Sequence, residues 1–245
     1  MIAAGEGRRL RPLTERYAKP VLPIDGRPVV VTLLRELRAA GIERVTVVTG
    51  RLAEQVEALL DRFDVRFVRQ PEPLGSADAV RRGLERLPAL VVGADTVFTP
   101  GDLSRFAAAP GHAIAYRRDP PPSPPHRYAL RIEAGRVTKV LDDDPANPLA
   151  AAPLWRLGEG FDRGLLDRLA GPPYELAEAF QSLIEAGQTV DGVEIGPTRD
   201  LTHPVDLVLQ NFPYLRGIGS AAYDQGGEDA NDRHPRGDRR RVQPT

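Results

Sequence analysis

The chain has 245 residues, of which 41% are hydrophobic and 27% charged, a composition typical of a soluble globular protein with one large or two small domains. A formal net charge of −1 predicts no general affinity for nucleic acid or acidic membranes, and no apolar run reaches the ~20 residues of a membrane span. Because the chain has no cysteine, thiol catalysis, zinc–thiolate sites and disulfides are excluded, and a cytoplasmic enzyme is favoured.

A glycine-containing loop opens the chain. Ala4, Gly5 and Gly7 leave little side chain between backbone N–H groups and a bound anion, so the loop can hold phosphate groups. Arg9 and Lys19 add positive charge beside it. A Gly-x-Gly pair alone is typical of ordinary turns, and a dinucleotide-binding motif would need a third glycine that this stretch lacks. The whole stretch predicts a triphosphate site.

A loop of this kind normally follows a buried strand, yet only Met1 and Ile2 precede it here. We expect either a truncated first strand, with the true start lying upstream, or a sheet without its central strand. The first is favoured, because losing a central strand leaves N–H and C=O groups unpaired on both sides, at ~1–3 kcal/mol each.

Strands and helices alternate in the first half of the chain. The apolar spacing predicts helices over 28–40, 52–63 and 76–87, and strands over 43–49, 65–69 and 89–93. This alternation is typical of an α/β protein with a parallel sheet. We assign residues 1–110 to a nucleotide-binding half and 111–215 to a second, acceptor-binding half of one domain.

The second half is less regular. A strand over 112–117, a hairpin over 128–133 and 136–141, a strand over 154–157 and helices over 163–169 and 174–186 are predicted. Residues 119–125 are proline-rich and predict a stiff, exposed loop. Residues 216–245 carry few apolar side chains and predict a disordered tail.

One longer motif points to a family. The run contains Gly5-x-Gly7-x-Arg9-Leu10-x-Pro12-Leu13-Thr14, followed by Lys19-Pro20 and Leu22-Pro23-Ile24. It resembles the signature of the sugar-phosphate nucleotidyltransferases, the NDP-sugar pyrophosphorylase-like NTP transferases. The resemblance implies a Rossmann-like, three-layer α/β/α fold with a mostly parallel mixed sheet, of the GT-A-like kind.

The resemblance also implies a reaction. An acceptor phosphate oxygen attacks the α-phosphorus of a nucleoside triphosphate and pyrophosphate leaves, so a sugar 1-phosphate becomes an NDP-sugar. A phosphate monoester is already ionised at neutral pH, so positioning and charge neutralisation can carry catalysis. By resemblance, Arg9 stabilises the leaving pyrophosphate and Lys19 meets the α-phosphate.

The loop after the strand over 65–69 is the candidate base site. In the resembled family the pattern Gln-x-x-x-x-Gly-[Thr/Ser]-Ala contacts the nucleobase, which places Gln70 at the base edge and Gly75 against its plane. Ser76 belongs to the same nucleotide-binding set, although it is equally suited to cap the helix that follows. Ligands of open α/β sheets bind at this end of the strands.

Two carboxylates are candidate Mg²⁺ ligands. Asp95 follows a buried strand, where a cation that bridges phosphates is often anchored, and could instead cap the next helix. The family typically has Gly-Asp here, whereas this chain has an extra alanine before the aspartate. Asp200 stands where the family's Asp-[Ile/Val]-x-x-Pro-x-Asp-Leu segment supplies the second ligand, and Asp206 falls in the first turn of the helix that follows.

Three residues are weaker candidates for the acceptor pocket. Tyr128 opens the predicted hairpin, Trp155 lies where relatives often have a tyrosine, and Glu175 matches a glutamate near the sugar. Trp155 is equally well interpreted as an aromatic residue of the core or rim, and Glu175 as a residue that stabilises the helix dipole.

The lysine that holds the acceptor phosphate in sugar-specific relatives is missing. Lys139, Arg127 or Arg117 could substitute for it. The run of aspartates at 142–144, which stands where relatives have Glu-Lys-Pro, is interpreted as a solvated turn.

Three alternatives stay open. The acceptor could be a non-sugar phosphate such as phosphocholine, because the sugar-side motifs match poorly. The chain could be an inactive regulator that binds nucleotides or nucleotide-sugars, or a molybdopterin-type nucleotidyltransferase. The expected partners are a nucleoside triphosphate and a sugar 1-phosphate, with no nucleic acid or membrane and a possible homo-oligomer.

Overall fold

The computed structural model describes residues 1–118 and 128–215. The strands are β1 (Ile2–Ala3), β2 (Pro23–Ile24), β3 (Arg27–Pro28), β4 (Thr46–Thr49), β5 (Arg66–Arg69), β6 (Ala89–Val92), β7 (Thr96–Val97), β8 (His112–Arg118), β9 (Ala129–Glu133), β10 (Arg136–Asp142), β11 (Leu149–Leu157), β12 (Val190–Glu194) and β13 (Arg199–Asp200). The α-helices are α1 (Leu13–Arg16), α2 (Val29–Ala39), α3 (Ala53–Leu60), α4 (Ser76–Gly83), α5 (Asp102–Ala107), α6 (Leu165–Arg168), α7 (Leu176–Glu185) and α8 (Pro204–Leu215). The predicted loop at 119–125 and the predicted tail at 216–245 lie outside the described residues.

A short first strand is present in the sheet. β1 pairs in parallel with β4, which pairs in parallel with β5. On its other side, Ile2 forms a parallel bridge with Gly93, just beyond β6. β1 therefore lies between β4 and the end of β6, and the alternative of a sheet without its central strand is wrong.

The C-terminal half of the sheet is more antiparallel than expected. Its six strands run in the order β6-β11-β8-β12-β10-β9, and only the β12–β8 pair is parallel. The antiparallel pairs arise because the β9–β10 hairpin and the long strand β11 return along their neighbours. The mixed sheet is confirmed, with its parallel part concentrated around β1, β4 and β5.

Helices cover both faces of this sheet. Along β8, Ala113 and Ala115 face a core built with α2, α3 and α5, whereas Ile114 and Tyr116 face a core built with α4, α6 and α7. Successive side chains of a strand point to opposite faces, so one strand contributes to both cores. The predicted three-layer α/β/α arrangement is confirmed.

Most predicted elements exist, with shifted ends. The helix predicted over 76–87 ends at Gly83, and the strand predicted over 154–157 begins at Leu149. Strand β12 was not predicted, because Asp191 and Gly192 interrupt its apolar pattern. Its parallel register with β8, which pairs Val190 with His112, supplies the stability that local sequence lacks.

Candidate functional site

The glycine loop leaves the end of β1 and is fixed by a threonine. Gly7 has a positive φ of 61°, and a Cβ there would lie 2.8 Å from Thr14 Cγ2, so a larger residue does not fit. The Thr14 hydroxyl donates to the Gly7 carbonyl at 2.9 Å. Ala4 is buried, whereas Gly5 is exposed and has open space around its Cα. The loop thus exposes backbone at Gly5 and is held rigid at Gly7.

Arg9 and Lys19 lie on two short 3₁₀ helices beyond this loop. Arg9 is exposed, and its neighbour Leu10 is buried and anchors the turn. Lys19 is mostly buried and its Nζ lies 2.5 Å from Asp95 Oδ2, with 14% and 34% of the two side chains exposed. This ion pair joins residues 76 positions apart, which no local pattern could predict.

Helix α3 positions the segment that carries Lys19. Gln55 accepts from the Ala18 N–H at 2.8 Å and donates to the Arg16 carbonyl at 2.7 Å. Arg51 donates to the carbonyls of Thr14 and Glu15. Gln55 in α3 and Arg51 just before it were not predicted as part of the site, because the sequence around a polar residue on a surface helix does not indicate which distant backbone group it binds.

Asp95 and Asp200 lie at a pair of short strands, Asp95 in the turn just before β7 and Asp200 in β13. Asp200 on β13 is in register with Thr96 on β7, the residue next to Asp95. Asp95 does not cap a helix, because α5 begins seven residues later at Asp102, after Gly101. Asp200 accepts from the Thr202 hydroxyl at 2.9 Å. Asp95 thus directly precedes the residue that pairs with Asp200 in the two-stranded β13–β7 sheet.

Their chemistry fits Mg²⁺ bound together with substrate. Within residues 1–118 and 128–215 there is no group of three or more His, Asp or Glu side chains able to hold a metal ion. Mg²⁺ commonly takes only one or two carboxylates and completes its shell with water and substrate phosphates. Asp206 Oδ2 accepts from the His203 and Thr202 amides at 2.7 and 2.8 Å, and these bonds lower the pKa of Asp206.

Gln70 is buried and shapes the candidate base loop from inside. Its Nε2 donates to the Gly75 carbonyl at 3.0 Å and to Asp78 Oδ2 at 2.8 Å. Burial of Asp78 opposes its ionisation, but hydrogen bonds from Arg82, Gln70 and Arg81 outweigh this and lower the pKa of Asp78 to about 2. The Gln70 amide nitrogen is therefore committed to the loop, and base reading by Gln70 stays a prediction.

Gly75 lies where two backbones touch. Its φ of 104° and ψ of 174° belong to a region that is essentially restricted to glycine, and a Cβ would lie 2.3 Å from the Tyr174 carbonyl oxygen. The Tyr174 N–H donates to the Leu74 carbonyl at 2.8 Å, and its carbonyl accepts from the Ala77 N–H at 2.9 Å. The base loop is thereby attached to the segment that enters α7.

Ser76 caps a helix, but not its own. Its hydroxyl accepts from the Leu176 N–H at 2.8 Å, at the start of α7, and donates to Glu175 Oε2 at 2.6 Å. Helix α4, which Ser76 begins, has no side-chain cap. The interpretation of Ser76 as the cap of its own helix was wrong; the hydroxyl links the two halves of the chain instead.

One cavity of about 230 Å³ brings together seven of the predicted residues. Its walls are formed by Ile2, Ala3, Gly5, Lys19, Pro20, Ser76, Gly93, Asp95, Tyr128, Pro153, Trp155, Glu175 and Ala177. The predicted residues Ala4, Gly7, Arg9, Gln70, Gly75 and Asp200 are not among these lining residues. The cavity therefore runs from the exposed part of the phosphate loop to the predicted acceptor residues.

The proposed substitutes for the missing lysine lie elsewhere. Lys139 pairs with Asp143 at 2.7 Å and with Asp142 at 3.4 Å, and Arg117 donates to Thr198 at 2.8 Å. Neither lines the cavity, and Arg127 lies outside the described residues.

The run of aspartates is only partly a solvated turn. The Asp142 side chain is 1% exposed and accepts from Arg131 at 3.0 Å, whereas the Asp143 side chain is 90% exposed. The interpretation is wrong at Asp142, because that residue ends β10 and faces Arg131 on the neighbouring strand.

Fold and site together define an α/β protein with a glycine-containing loop at the end of a parallel strand and a Lys–Asp pair beside it. The comparisons are more specific. The model of the MobA-like NTP transferase domain matches residues 1–155. The chain belongs to this family, which confirms the resemblance read from the motif around Gly5 and Gly7.

Relatives and structures agree with this assignment. The chain is 33% identical over 180 residues to CMP-5'-(3-aminopropyl)phosphonate synthase of Streptomyces rubellomurinus, covering 66% of this chain and 28% of that protein. It is 30% identical over 207 residues to the bifunctional protein GlmU of Burkholderia mallei, covering 76% and 44%. The chain thus spans less than half the length of these curated relatives.

Crystal structures of UDP-glucose pyrophosphorylase share the fold. The complex with UDP-glucose superposes with a TM-score of 0.76 at 18% identity, covering 88% of this chain and 97% of that one. The apo enzyme gives a TM-score of 0.73, covering 88% of this chain and 96% of that one.

None of the helices within the described part of the chain is long and apolar enough to cross a membrane.

Proposed function

We propose that the protein transfers a nucleotidyl group from a nucleoside triphosphate to a small phosphate-bearing acceptor, a sugar 1-phosphate in the first instance. The observation that carries this proposal is the shared cavity, in which Gly5 and Lys19 on the phosphate side meet Tyr128, Trp155 and Glu175 on the acceptor side. Two substrates that must react with each other need such a common space.

The reaction requires little covalent chemistry from the protein. An acceptor phosphate oxygen forms a bond to the α-phosphorus, the bond from that phosphorus to the bridging oxygen of the β-phosphate breaks, and pyrophosphate carries the electron pair away. The exposed Gly5 backbone and the Arg9 guanidinium bind the leaving phosphates, and Lys19 neutralises charge at the α-phosphate. The ion pair with Asp95 holds Lys19 in position before substrate arrives.

Asp95 and Asp200 are the residues that would hold Mg²⁺. When bound, this ion supplies charge neutralisation at the triphosphate and orients its oxygens. Mg²⁺ held by Asp95 would take the place of Lys19 at this carboxylate, and the Lys19 ammonium would then be available to a phosphate oxygen. The Mg²⁺ requirement and the cytoplasmic location are predictions made from the sequence.

A second candidate acceptor is an aminoalkyl phosphate or phosphonate. Apart from Lys19, the described lining of the cavity has no basic side chain, while it includes the Glu175 carboxylate together with Trp155 and Pro153. A sugar needs many hydrogen-bond partners, whereas an ammonium group is matched by a carboxylate and an aromatic ring. One relative is named as a synthase of CMP-5'-(3-aminopropyl)phosphonate, in which the aminopropylphosphonate part is an acceptor of this kind.

The test is pyrophosphate release with Mg²⁺, each of the four ribonucleoside triphosphates and a panel of acceptors. The panel contains sugar 1-phosphates, phosphocholine and aminoalkyl phosphonates. We expect one triphosphate and one acceptor class to support release, and Glu175→Gln to weaken an ammonium-bearing acceptor more than a sugar. Triphosphate binding without release for any acceptor would contradict the proposal and favour a nucleotide-binding regulator.

A further inference from the structure

The cavity of the candidate site has a negatively charged lining, although both proposed substrates are anions. Among its described lining residues the charged side chains are Lys19, Asp95 and Glu175, one positive and two negative. The Arg9 side chain is exposed and is not among these lining residues. Lys19 is therefore the one cation that the described lining offers to a phosphate group.

This cation is already engaged with carboxylates. Lys19 Nζ donates to Asp95 Oδ2 at 2.5 Å, and only 14% of the lysine side chain is exposed. A short hydrogen bond between two charged groups is among the stronger polar contacts in a protein. The charge of Lys19 also acts on Asp206, whose pKa is lowered first by a hydrogen bond from the His203 amide and further by this lysine. The positive charge that a phosphate needs is thus balanced before any substrate binds.

A triphosphate without a cation meets two obstacles at such a site. It must take the Lys19 ammonium away from Asp95, and the partner left behind is then an uncompensated carboxylate in a partly buried place. That carboxylate also repels the phosphate oxygens that arrive beside it. Both obstacles are removed when a cation compensates Asp95, as happens with a triphosphate that carries a divalent cation.

We propose that the Lys19–Asp95 pair is a latch, which withholds the lysine from metal-free triphosphate and releases it to a triphosphate that brings a divalent cation. Asp95 then has opposite effects on two ligands, because it weakens binding of the metal-free triphosphate and strengthens binding of the metal-bound one. A carboxylate that only positioned Lys19 would strengthen both. This inference rests on the proposed function, since it requires the cavity to take a triphosphate.

Triphosphate affinity in EDTA tests the latch. The ligand is the ribonucleoside triphosphate that binds the parent protein most tightly in Mg²⁺, and calorimetry gives the Kd at one fixed ionic strength. Asp95→Asn keeps the shape of the side chain and removes its charge. We expect this variant to bind the triphosphate in EDTA at least about tenfold more tightly than the parent does, but more weakly than the parent in Mg²⁺.

A double-mutant cycle separates the latch from simple charge repulsion. In a Lys19→Met background there is no ammonium to release, so adding Asp95→Asn should improve the affinity in EDTA by less than about threefold. The same substitution in the parent should give the full gain. The difference between the two gains measures the contribution of Lys19.

Chemical labelling tests the same contact without a nucleotide. Lys19 and Lys139 are the only lysines of the chain, so mass spectrometry can follow the acetylation of each by acetic anhydride. A lysine that donates to a carboxylate is shielded from the reagent. We expect Asp95→Asn to speed the labelling of Lys19 at least about threefold relative to Lys139, which pairs with Asp143 in both proteins.

Three results would overturn the latch. An affinity of Asp95→Asn in EDTA equal to or below that of the parent would show that Asp95 only positions Lys19. An equal gain in the Lys19→Met background would show repulsion alone, and equal labelling of Lys19 with and without the Asp95 charge would show that the carboxylate does not shield it. Failure of the proposed function gives a different result, because the parent then binds none of the four triphosphates in Mg²⁺, and the latch falls with it.

Discussion

Gly75 offers a sharp test of how the candidate base loop is built. Replacing it with alanine forces a φ of 104° and ψ of 174° on a residue with a Cβ, which costs about 1–3 kcal/mol. The new methyl would also lie 2.3 Å from the Tyr174 oxygen, and relieving such an overlap costs about 1–3 kcal/mol more. We therefore expect Gly75→Ala to lower the free energy of unfolding by about 3 kcal/mol, or the melting temperature by roughly 6–12 °C.

The matched control is Gly101→Ala. Gly101 also has a positive φ, of 89°, but open space surrounds the position of its Cβ, so only backbone strain of about 1–2 kcal/mol is expected. Both variants are measured by thermal and urea unfolding, with triphosphate affinity as a second readout. Equal destabilisation of the two variants would refute the claim that the contact with Tyr174 requires glycine at position 75.

Four further substitutions test other parts of the protein. Arg9→Ala and Lys19→Ala should each lower turnover at least about a hundredfold in steady-state kinetics, and an unchanged rate would remove the residue from the mechanism. Because Arg9 is exposed, Arg9→Ala should change the free energy of unfolding in urea by about 1 kcal/mol or less. Ser76→Ala removes the cap of α7 and should cost about 1 kcal/mol in urea unfolding, and no loss would show that this cap is dispensable. Burial raises the pKa of Glu36 from its ordinary value of 4.5 to about 7, although Arg199 and a backbone hydrogen bond from Phe98 oppose this shift, so the native state loses stability as pH rises from about 4.5 toward 7. Glu36→Gln should therefore match the parent protein in stability at pH 4 and be more stable than the parent at pH 8. Parallel profiles of stability against pH for the two proteins would contradict this.

The fold was largely predictable because its local patterns are strong. Val30, Leu33, Leu34 and Leu37 have the spacing of one helix face, and all four are buried in α2. Strand β12 was hidden because its polar residues are stabilised by β8, which lies far away in the chain. Whether the strands of the second half pair in parallel or antiparallel could not be predicted either, because this depends on which distant strands lie beside the β9–β10 hairpin and β11.

The candidate site was predictable as a set of residues but not as a set of contacts. The motif places Lys19 and Asp95 in one site, yet their ion pair depends on a segment held by Gln55 of α3. Ser76 was expected at the start of its own helix and instead caps α7, because the chain brings residue 175 back against the loop. Sequence reveals which side chains can do the chemistry, whereas packing decides which of them meet.

The central claim is nucleotidyl transfer, and the most direct measurement is the identity and stoichiometry of the products. Protein, triphosphate, Mg²⁺ and the acceptor selected by the panel are mixed, and the products are analysed by mass spectrometry and a pyrophosphate assay, with Asp95→Asn as the control. We predict a nucleoside monophosphate linked to the acceptor and pyrophosphate in equal amounts, and neither with the variant. Formation of nucleoside diphosphate and inorganic phosphate, or products that are unchanged in Asp95→Asn, would contradict the account.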